Sequence, residues 1–219
     1  MKVIITGSTG MVGEGVLHVC LNNPAVEKIL IVNRKTAGID HPKLTEIIHP
    51  DFFDLTSIED DLSDYDACFF CLGVTSVGMK AEEYYRTTYT LTMHVAGILC
   101  QKNPQMTFIY VSGMGTDSSE KGLSQWARVK GKTENDLMKL PFKQVYAYRP
   151  GFIKPIEGMK NTHKYYRYIN WAFPIGKKLS PQAFNTLEEV GLSMIGITLK
   201  GFDKKIIGGK EISFLANQN

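Results

Sequence analysis

Near its N-terminus the chain reads Thr6-Gly7-Ser8-Thr9-Gly10-Met11-Val12-Gly13, directly after an apolar run at residues 3–5 and at the start of a segment with helical apolar spacing. In such a turn Gly7 permits the tight reversal, Gly10 lets a diphosphate approach the backbone, and Gly13 lets helix and strand pack closely. The amides at the start of the helix attract phosphate. The stretch therefore predicts a strand–turn–helix unit that binds the pyrophosphate of a dinucleotide through residues 7–13, with an unliganded flexible turn as the alternative.

Apolar β-like runs alternate with longer helical patterns along most of the chain, which predicts a parallel sheet with helices on both faces. The predicted strands are residues 3–5, 28–32, 44–48, 67–72, 107–112 and 145–148. Long helices are predicted at 81–100, before Asn103-Pro104, and at about 123–140, before Pro141. We interpret residues 1–219 as one doubly wound α/β domain of the Rossmann type.

Beyond residue 151 this alternation lapses, and residues 152–219 are expected to hold a small C-terminal cap on the substrate side together with a last strand at 212–215. Thr186 and Glu189 have the spacing of a capping box, which predicts a helix start. The basic stretch at 200–210 is interpreted as a solvated turn. Aromatic and basic residues at 161–168 either contact an anionic ligand such as a nucleotide sugar or form an amphipathic helix that buries Tyr165, Tyr168 and Ile169.

The composition is that of an ordinary globular protein, with 43% hydrophobic residues, 21% charged residues and a net charge of +3. Its basic residues are scattered, which argues against a nucleic-acid surface. No apolar run approaches the roughly 18–20 residues of a membrane span, and no signal pattern follows Met1, so we expect a cytoplasmic protein. Cys68 and Cys71 lie in a predicted strand, on opposite faces, so we interpret them as packing residues and expect no metal site.

The second predicted strand ends in Asn33-Arg34-Lys35. An acidic residue at this position binds the ribose 2′-hydroxyl of NAD, whereas a guanidinium beside an ammonium suits the 2′-phosphate of NADP. These residues therefore favour NADP(H) over NAD(H), with a solvated basic turn as the alternative.

Taken with Cys71-Leu72-Gly73-Val74-Thr75, Ser112-Gly113, Lys130 and Arg149-Pro150-Gly151, the glycine spacing resembles the atypical short-chain dehydrogenase/reductases. The similarity is greatest to the Tat-interacting-protein oxidoreductase-like subgroup and to bacterial nucleoside-diphosphate-sugar epimerase-like proteins. The resemblance implies a bound nicotinamide dinucleotide. It places Asp51 and Phe52 beside the adenine, Leu72, Gly73 and Val74 near the adenine ribose and the nicotinamide side, and Pro150, Gly151 and Phe152 against the nicotinamide. It also implies a homodimer paired through long helices.

The same resemblance implies a catalytic Ser, Tyr and Lys, and two of these positions are filled by Ser112 and Lys130. The tyrosine position holds Trp126, whose indole donates hydrogen bonds but gives up no proton at a usable pH. Other candidate acids are Tyr84, Tyr85, Tyr89, Tyr110 and His163, most of which are interpreted as packing or surface residues. Two functions stay open: an oxidoreductase or epimerase acting on a small carbonyl or sugar, and a weak or inactive dinucleotide sensor that acts through a protein partner.

Overall fold

The computed structural model describes residues 1–162 and 173–218. The predictions made for His163, Tyr165, Tyr168 and Ile169 fall outside these residues.

Seven strands of the described chain form one parallel sheet in the order β3-β2-β1-β4-β5-β6-β9. They are β1 (Lys2–Thr6), β2 (Lys28–Asn33), β3 (Leu44–Ile48), β4 (Ala67–Phe70), β5 (Thr107–Val111), β6 (Gln144–Arg149) and β9 (Ile206–Gly208). Two short strands, β7 (Phe152–Lys154) and β8 (Phe184–Thr186), pair in parallel beside it. The strand order reverses between β1 and β4, which is the feature of a doubly wound sheet that creates a crevice at the carboxyl ends of the strands. The predicted fold class is confirmed.

Helices cover both faces of this sheet. They are α1 (Met11–Asn22), α2 (Ala81–Tyr85), α3 (Leu91–Lys102), α4 (Gln125–Leu137), α5 (Phe173–Leu179), α6 (Leu187–Lys200) and α7 (Gly209–Ala216), with 3₁₀ turns at Thr56–Leu62 and Pro181–Ala183. None of the helices that the structure describes is long and apolar enough to cross a bilayer.

Alternate residues of β1 enter two separate cores, as expected for a strand that is buried on both sides. Val3 and Ile5 pack in one core with residues of α1, α6 and α7, and Ile4 packs in the other with residues of α3 and α4. A strand that is buried on both faces has apolar residues at nearly every position, so such strands could be predicted from the sequence.

The helix predicted over 81–100 is interrupted by a π-helical turn, Arg86–Thr90, between α2 and α3. Its end before Asn103 is as predicted, and α6 begins with the predicted capping box. The Thr186 Oγ1 accepts a hydrogen bond from the Glu189 amide at 3.0 Å, and the Thr186 amide donates to Glu189 Oε2 at 2.7 Å.

The predicted last strand at 212–215 is wrong. Those residues belong to α7, in which Ile212 and Leu215 are buried one turn apart while Phe214 is exposed. The strand in this region is β9, which lies within the basic stretch interpreted as a solvated turn. A four-residue segment with three apolar residues fits a short helix and a short strand equally well. Strand β9 was missed because Ile207 is its one fully buried side chain.

Cys68 is buried within β4, and Cys71 follows that strand; both are free thiols. Burial raises the pKa of the Cys68 thiol well above its usual value and that of Cys71 to about 12. Neutral, desolvated thiols behave as small apolar side chains, in keeping with their interpretation as packing residues.

Candidate dinucleotide site

Three glycines of the first turn have different surroundings. Gly7 has a φ of +71°, and a Cβ added to it would lie 2.7 Å from the Leu72 amide nitrogen. A Cβ on Gly13 would lie 2.2 Å from the Gly7 carbonyl oxygen. The fold itself therefore requires glycine at both positions. At Gly10, by contrast, the nearest described atom to an added Cβ is the Gly7 oxygen at 3.4 Å.

Helix α1 begins at this open position. Gly10 is its N-cap residue, and no described side chain caps it. Thr9 and Gly10 are exposed, and Met11 and Val12 are partly exposed. Uncapped amides at a helix start attract anions, and the space beside Gly10 is one that a side chain would fill. The turn therefore fits the pyrophosphate of a dinucleotide.

A segment from the C-terminal part of the chain, residues 153–161, lies against this turn, and we call it the strap. Met11 and Val12 pack with the buried side chains of Ile153 and Met159. Glu14, in the first turn of α1, is buried and accepts hydrogen bonds from two strap amides, Lys160 at 2.7 Å and Asn161 at 2.8 Å. Sequence reasoning missed Glu14, although a carboxylate on the buried face of an apolar helix was a signal that it needed partners.

The end of β2 differs in part from the prediction. Asn33 is buried, its Oδ1 accepts a hydrogen bond from Ser8 at 3.0 Å, and its Nδ2 donates to Glu46 Oε1 at 2.9 Å. Asn33 thus points into the protein and connects the glycine-rich turn to β3. Arg34 and Lys35, which follow Asn33, are exposed.

The sequence has no acidic residue at the end of β2, but the structure places the carboxylate of Glu46 there. It comes from β3, the neighbouring strand, and receives hydrogen bonds from Thr36 Oγ1 at 2.6 Å and the Ala37 amide at 2.8 Å. Burial opposes ionisation of this carboxyl group, but the hydrogen bonds from Thr36, Ala37 and Asn33 outweigh burial and lower its pKa. Asn33 and Glu46 are thirteen positions apart in the sequence, so this contact could not be predicted from the sequence.

The residues expected near the adenine follow β3 and β4. Asp51 is exposed, and its Oδ1 accepts a hydrogen bond from the Phe53 amide at 2.8 Å. Phe52 is buried in the core. After β4, Leu72 and Val74 are partly exposed and Gly73 is exposed, with no described atom within 4 Å of an added Cβ. The structure thus leaves this loop open toward the crevice while Phe52 faces inward.

Ser112, directly after β5, is almost fully buried. Its hydroxyl donates to the carboxylate of Glu134 and lies 3.1 Å from the Tyr148 carbonyl oxygen. A hydroxyl has one proton to donate, so Ser112 must leave Glu134 before it can donate to a substrate. The neighbouring Gly113 has a φ of +111° and open space around an added Cβ.

Glu134 is the centre of a buried network that sequence reasoning did not identify. Arg149, at the end of β6, donates from Nε to Glu134 Oε1 at 3.0 Å and from Nη2 to Glu134 Oε2. The same Nη2 contacts Ser118 Oγ at 2.5 Å. Lys130 donates to the backbone oxygen of Ser112. Burial lowers the pKa of Lys130 to about 8, and the Glu134 carboxylate opposes that shift.

Trp126 lies on α4, one turn before Lys130, and is partly exposed. Its ring is close to Gly115, where an added Cβ would lie 3.2 Å from Cη2. The structure thus brings Trp126, Lys130 and Ser112 to the same edge of the sheet, as expected from their spacing.

Four of the tyrosines considered as substitute acids lie within the described part of the chain. Burial raises the pKa of Tyr84 and of Tyr110. Tyr89 donates to Asp136 Oδ2 at 2.8 Å, and burial together with that carboxylate raises its pKa. Tyr85 is exposed, with its ring 4.8 Å from that of Tyr89. These residues have packing and surface positions.

The segment expected to lie against the nicotinamide follows β6. Pro150 is buried, and its carbonyl oxygen accepts a hydrogen bond from the Met114 amide at 2.9 Å. A Cβ on Gly151 would lie 2.4 Å from the Ala183 carbonyl oxygen. Phe152 is 49% exposed, and its ring stacks on Phe184 with centroids 5.2 Å apart. Of the three residues, Phe152 has the most surface available to a ligand.

A parallel sheet that reverses its order between β1 and β4, with a glycine-rich turn and an uncapped helix at that point, defines a Rossmann-type dinucleotide-binding protein. The model of the NAD dependent epimerase/dehydratase family matches residues 3–147. The chain therefore belongs to the NAD-dependent epimerase/dehydratase family, which supports a nicotinamide dinucleotide as its cofactor and confirms the resemblance found in the sequence.

Curated relatives include the mitochondrial protein FMP52-1 of Scheffersomyces stipitis, 27% identical over 155 residues that cover 70% of this chain and 67% of the relative. Protein FMP52 of Candida albicans is 26% identical, covering 74% of this chain and 73% of the relative. The chain thus spans about two thirds to three quarters of their lengths.

Solved structures with a similar fold include the UDP-glucuronic acid 4-epimerase of Bacillus cereus in complex with NAD, with a TM-score of 0.69, 15% identity, and coverage of 95% of this chain and 77% of that one. The ADP-L-glycero-D-manno-heptose-6-epimerase of Helicobacter pylori has a TM-score of 0.66 and 15% identity, and the match covers 100% of this chain and 82% of that one. At such identities the likeness concerns the fold alone.

The expectation of a cytoplasmic protein is contradicted by these comparisons. The relatives from Scheffersomyces stipitis, Emericella nidulans and Candida albicans are all named as mitochondrial proteins. The lack of a membrane-spanning run and of a secretory signal pattern was a weak ground for a location, because it excludes only some targeting signals.

Proposed function

We propose that this protein is an NADP(H)-binding oxidoreductase or epimerase-like protein in which Trp126 occupies the place of the catalytic tyrosine. The observation that carries the proposal is the contrast within the first turn. Gly7 and Gly13 are required by the fold, whereas Gly10 adjoins open space at an uncapped helix start. A glycine that the protein itself does not need is explained by a ligand that needs the room.

The preference for NADP(H) over NAD(H) is supported by Arg34 and Lys35, which extend into solvent at the end of β2. A guanidinium there can pair bidentately with a 2′-phosphate. The carboxylate of Glu46 contacts this turn, and both of its oxygens already accept hydrogen bonds from the protein. A ribose 2′-phosphate bound here would therefore have two exposed cationic residues beside it, and the carboxylate of Glu46 would already be hydrogen-bonded within the protein.

The proposed site lacks a positioned proton donor at the place of the catalytic tyrosine. A bound nicotinamide supplies or accepts a hydride. We assign Lys130 to the ribose of the cofactor and Ser112 to a substrate oxygen, for which it must leave Glu134. Trp126 provides no titrating proton, and the loss of a positioned acid costs about 10²–10⁴-fold in rate. Turnover of a small carbonyl or sugar is therefore expected to be slow.

A second candidate is a dinucleotide sensor that acts on a protein partner. It is favoured by the strap, which contacts Met11, Val12 and Glu14 at the start of the helix that would hold the pyrophosphate. Occupancy of the turn would in that case be transmitted to the C-terminal part of the chain, without chemistry.

The test of cofactor binding is a calorimetric titration of the protein and of its Gly10→Ala variant with NADPH and NADH. We expect the wild type to bind NADPH more tightly, and Gly10→Ala to lose at least about tenfold in affinity. Its free energy of unfolding should fall by less than about 1 kcal/mol, because alanine is a poorer N-cap than glycine but the nearest described atom lies 3.4 Å from the new methyl group. Wild-type protein that binds neither dinucleotide at millimolar concentration would contradict the proposal.

The two candidate functions are separated by following NADPH oxidation with aldehydes, ketones and quinones. If the tyrosine position is the missing acid, Trp126→Tyr gains activity over a slow wild type, and Trp126→Phe serves as the matched control without a hydroxyl. Fast wild-type turnover that is lost in Lys130→Ala would instead mean that another group supplies the proton. Activity in none of the variants, with binding intact, favours the sensor.

A further inference from the structure

We infer that Glu46 is a positioning residue for cofactor selection: it shapes the turn at residues 33–38 so that Arg34 and Lys35 face the 2′-phosphate of NADP(H). This inference rests on the proposed function and deepens it. Nothing in the sequence around Glu46 marks it for such a role, since it lies in the middle of β3.

The geometry assigns Glu46 to the turn rather than to a ligand. Its Oε1 accepts hydrogen bonds from Asn33 Nδ2 at 2.9 Å and from the Ala37 amide at 2.8 Å, and its Oε2 accepts one from Thr36 Oγ1 at 2.6 Å. Hydrogen bonds to a charged acceptor are about twice as strong as neutral ones. One carboxylate thus fixes both ends of the turn, with the two cationic residues between them.

Thr36 extends this arrangement by one residue. Its Oγ1, which donates to Glu46, also accepts a hydrogen bond from the Gly38 amide at 3.0 Å. Gly38 has a φ of +64°, so the turn reverses direction there. Hydrogen bonds that involve Glu46, directly or through Thr36, therefore hold the backbone on both sides of Arg34 and Lys35.

Asn33 links this loop to the glycine-rich turn, because its Oδ1 accepts the hydroxyl hydrogen of Ser8. A continuous chain of hydrogen bonds runs from Ser8 through Asn33 to Glu46. The part of the site that would hold the diphosphate and the part that would hold the ribose phosphate are thus set relative to each other by buried side chains.

A rival interpretation makes the opposite prediction. If Glu46 acts only as a negative charge near the ribose, its removal relieves repulsion and tightens NADPH binding. If it is a positioning residue, its removal lets the cations move and weakens NADPH binding, while NADH, which lacks the 2′-phosphate, is little affected.

The experiment measures dissociation constants of NADPH and NADH by calorimetry for the wild type, Glu46→Gln, Thr36→Val and Asp40→Asn. Thr36→Val removes one hydrogen bond to Glu46 and keeps its charge, so it tests the inference even if Glu46→Gln folds poorly. Asp40→Asn removes an exposed charge just beyond the turn and is the matched control for long-range electrostatics.

We expect Glu46→Gln and Thr36→Val each to weaken NADPH binding about tenfold, the effect of one charge-assisted hydrogen bond, with NADH and Asp40→Asn changing less than about twofold. Tighter NADPH binding by Glu46→Gln, equal loss of both cofactors, or an unchanged ratio of the two would overturn the inference while leaving dinucleotide binding intact. A wild type that binds neither cofactor refutes the proposed function itself.

Discussion

The N-termini of α1 and α6 are built in opposite ways. At α6 the side chain of Thr186 accepts the Glu189 amide, the Glu189 side chain accepts the Thr186 amide, and Lys177 pairs with Glu189 at 2.6 Å. At α1 the N-cap is Gly10, without a side-chain cap. Both helices pack in the same core, so burial against the sheet does not account for the difference.

The acidic residues in the first turns of α1 and α6 also have different partners. Glu189 closes its own helix start, whereas Glu14 of α1 turns away to the strap amides. A helix start leaves several amides without partners. At α6 the Thr186 side chain accepts one of these amides, whereas no described side chain does so at α1. A missing side-chain cap is not in itself unusual here, since α4 and α7 also lack one. What separates α1 from α7 is the space beside its N-cap glycine: a Cβ on Gly208 would lie 3.2 Å from the Glu211 side chain, whereas a Cβ on Gly10 would meet, of the described atoms, only the Gly7 oxygen at 3.4 Å.

The largest expected effect is that of Gly13→Ala. Its new methyl group would meet the Gly7 carbonyl at 2.2 Å, and forcing an extra methyl group into packed backbone costs about 3 kcal/mol of unfolding free energy. The measurement is urea unfolding of the variant beside Gly10→Ala, which should lose less than about 1 kcal/mol, the difference between glycine and alanine at an N-cap. Equal stability of the two variants would break the distinction drawn between the glycines.

Thr186→Ala has a smaller expected effect, confined to stability. Loss of an N-cap side chain costs about 1 kcal/mol, which lowers the melting temperature by roughly 2–4 °C in a chain of this size. Calorimetric melting measures the shift, and a titration with NADPH should show unchanged affinity. A change in affinity would show that the two helix starts are not independent.

Gly10→Asn is expected to change stability least of the three variants. It gives α1 the cap that it lacks, and replacing glycine by asparagine at an N-cap gains a few tenths of a kcal/mol, or about 1 °C in melting temperature. The backbone at this position, with φ −104° and ψ 162°, accepts asparagine without strain. NADPH affinity should fall, since the new side chain occupies the open space. Retained affinity would mean that the diphosphate does not bind at α1.

The sheet was predictable because its strands are buried on both faces and therefore read as continuous apolar runs, as at Val3-Ile4-Ile5. The capping box of α6 was equally local, since Thr186 and Glu189 are three residues apart. The π-helical turn Arg86–Thr90 was not predictable, because the same apolar spacing fits a continuous α-helix. Strand β9 was missed because it has a single buried residue, Ile207, and therefore shows no alternation of apolar and polar residues.

The candidate site was predictable where one segment carries all of its residues, as in the glycine-rich turn. It was incomplete where the fold brings distant segments together. Glu46 reaches the end of β2 from the next strand, and Glu134 joins Ser112 and Arg149 from a helix. A charge on a half-buried strand or helix face has many candidate partners in sequence, and only the packing selects among them.

The bonds of Glu14 join residues 146 and 147 positions apart. During synthesis the residues of α1 are added to the chain well before Lys160 and Asn161, which donate to Glu14. A buried carboxylate without partners is costly, and contacts of such long sequence separation form late. Helix α1 therefore gains the partners of its buried carboxylate only after residues 160 and 161 have been synthesised and have folded back onto it.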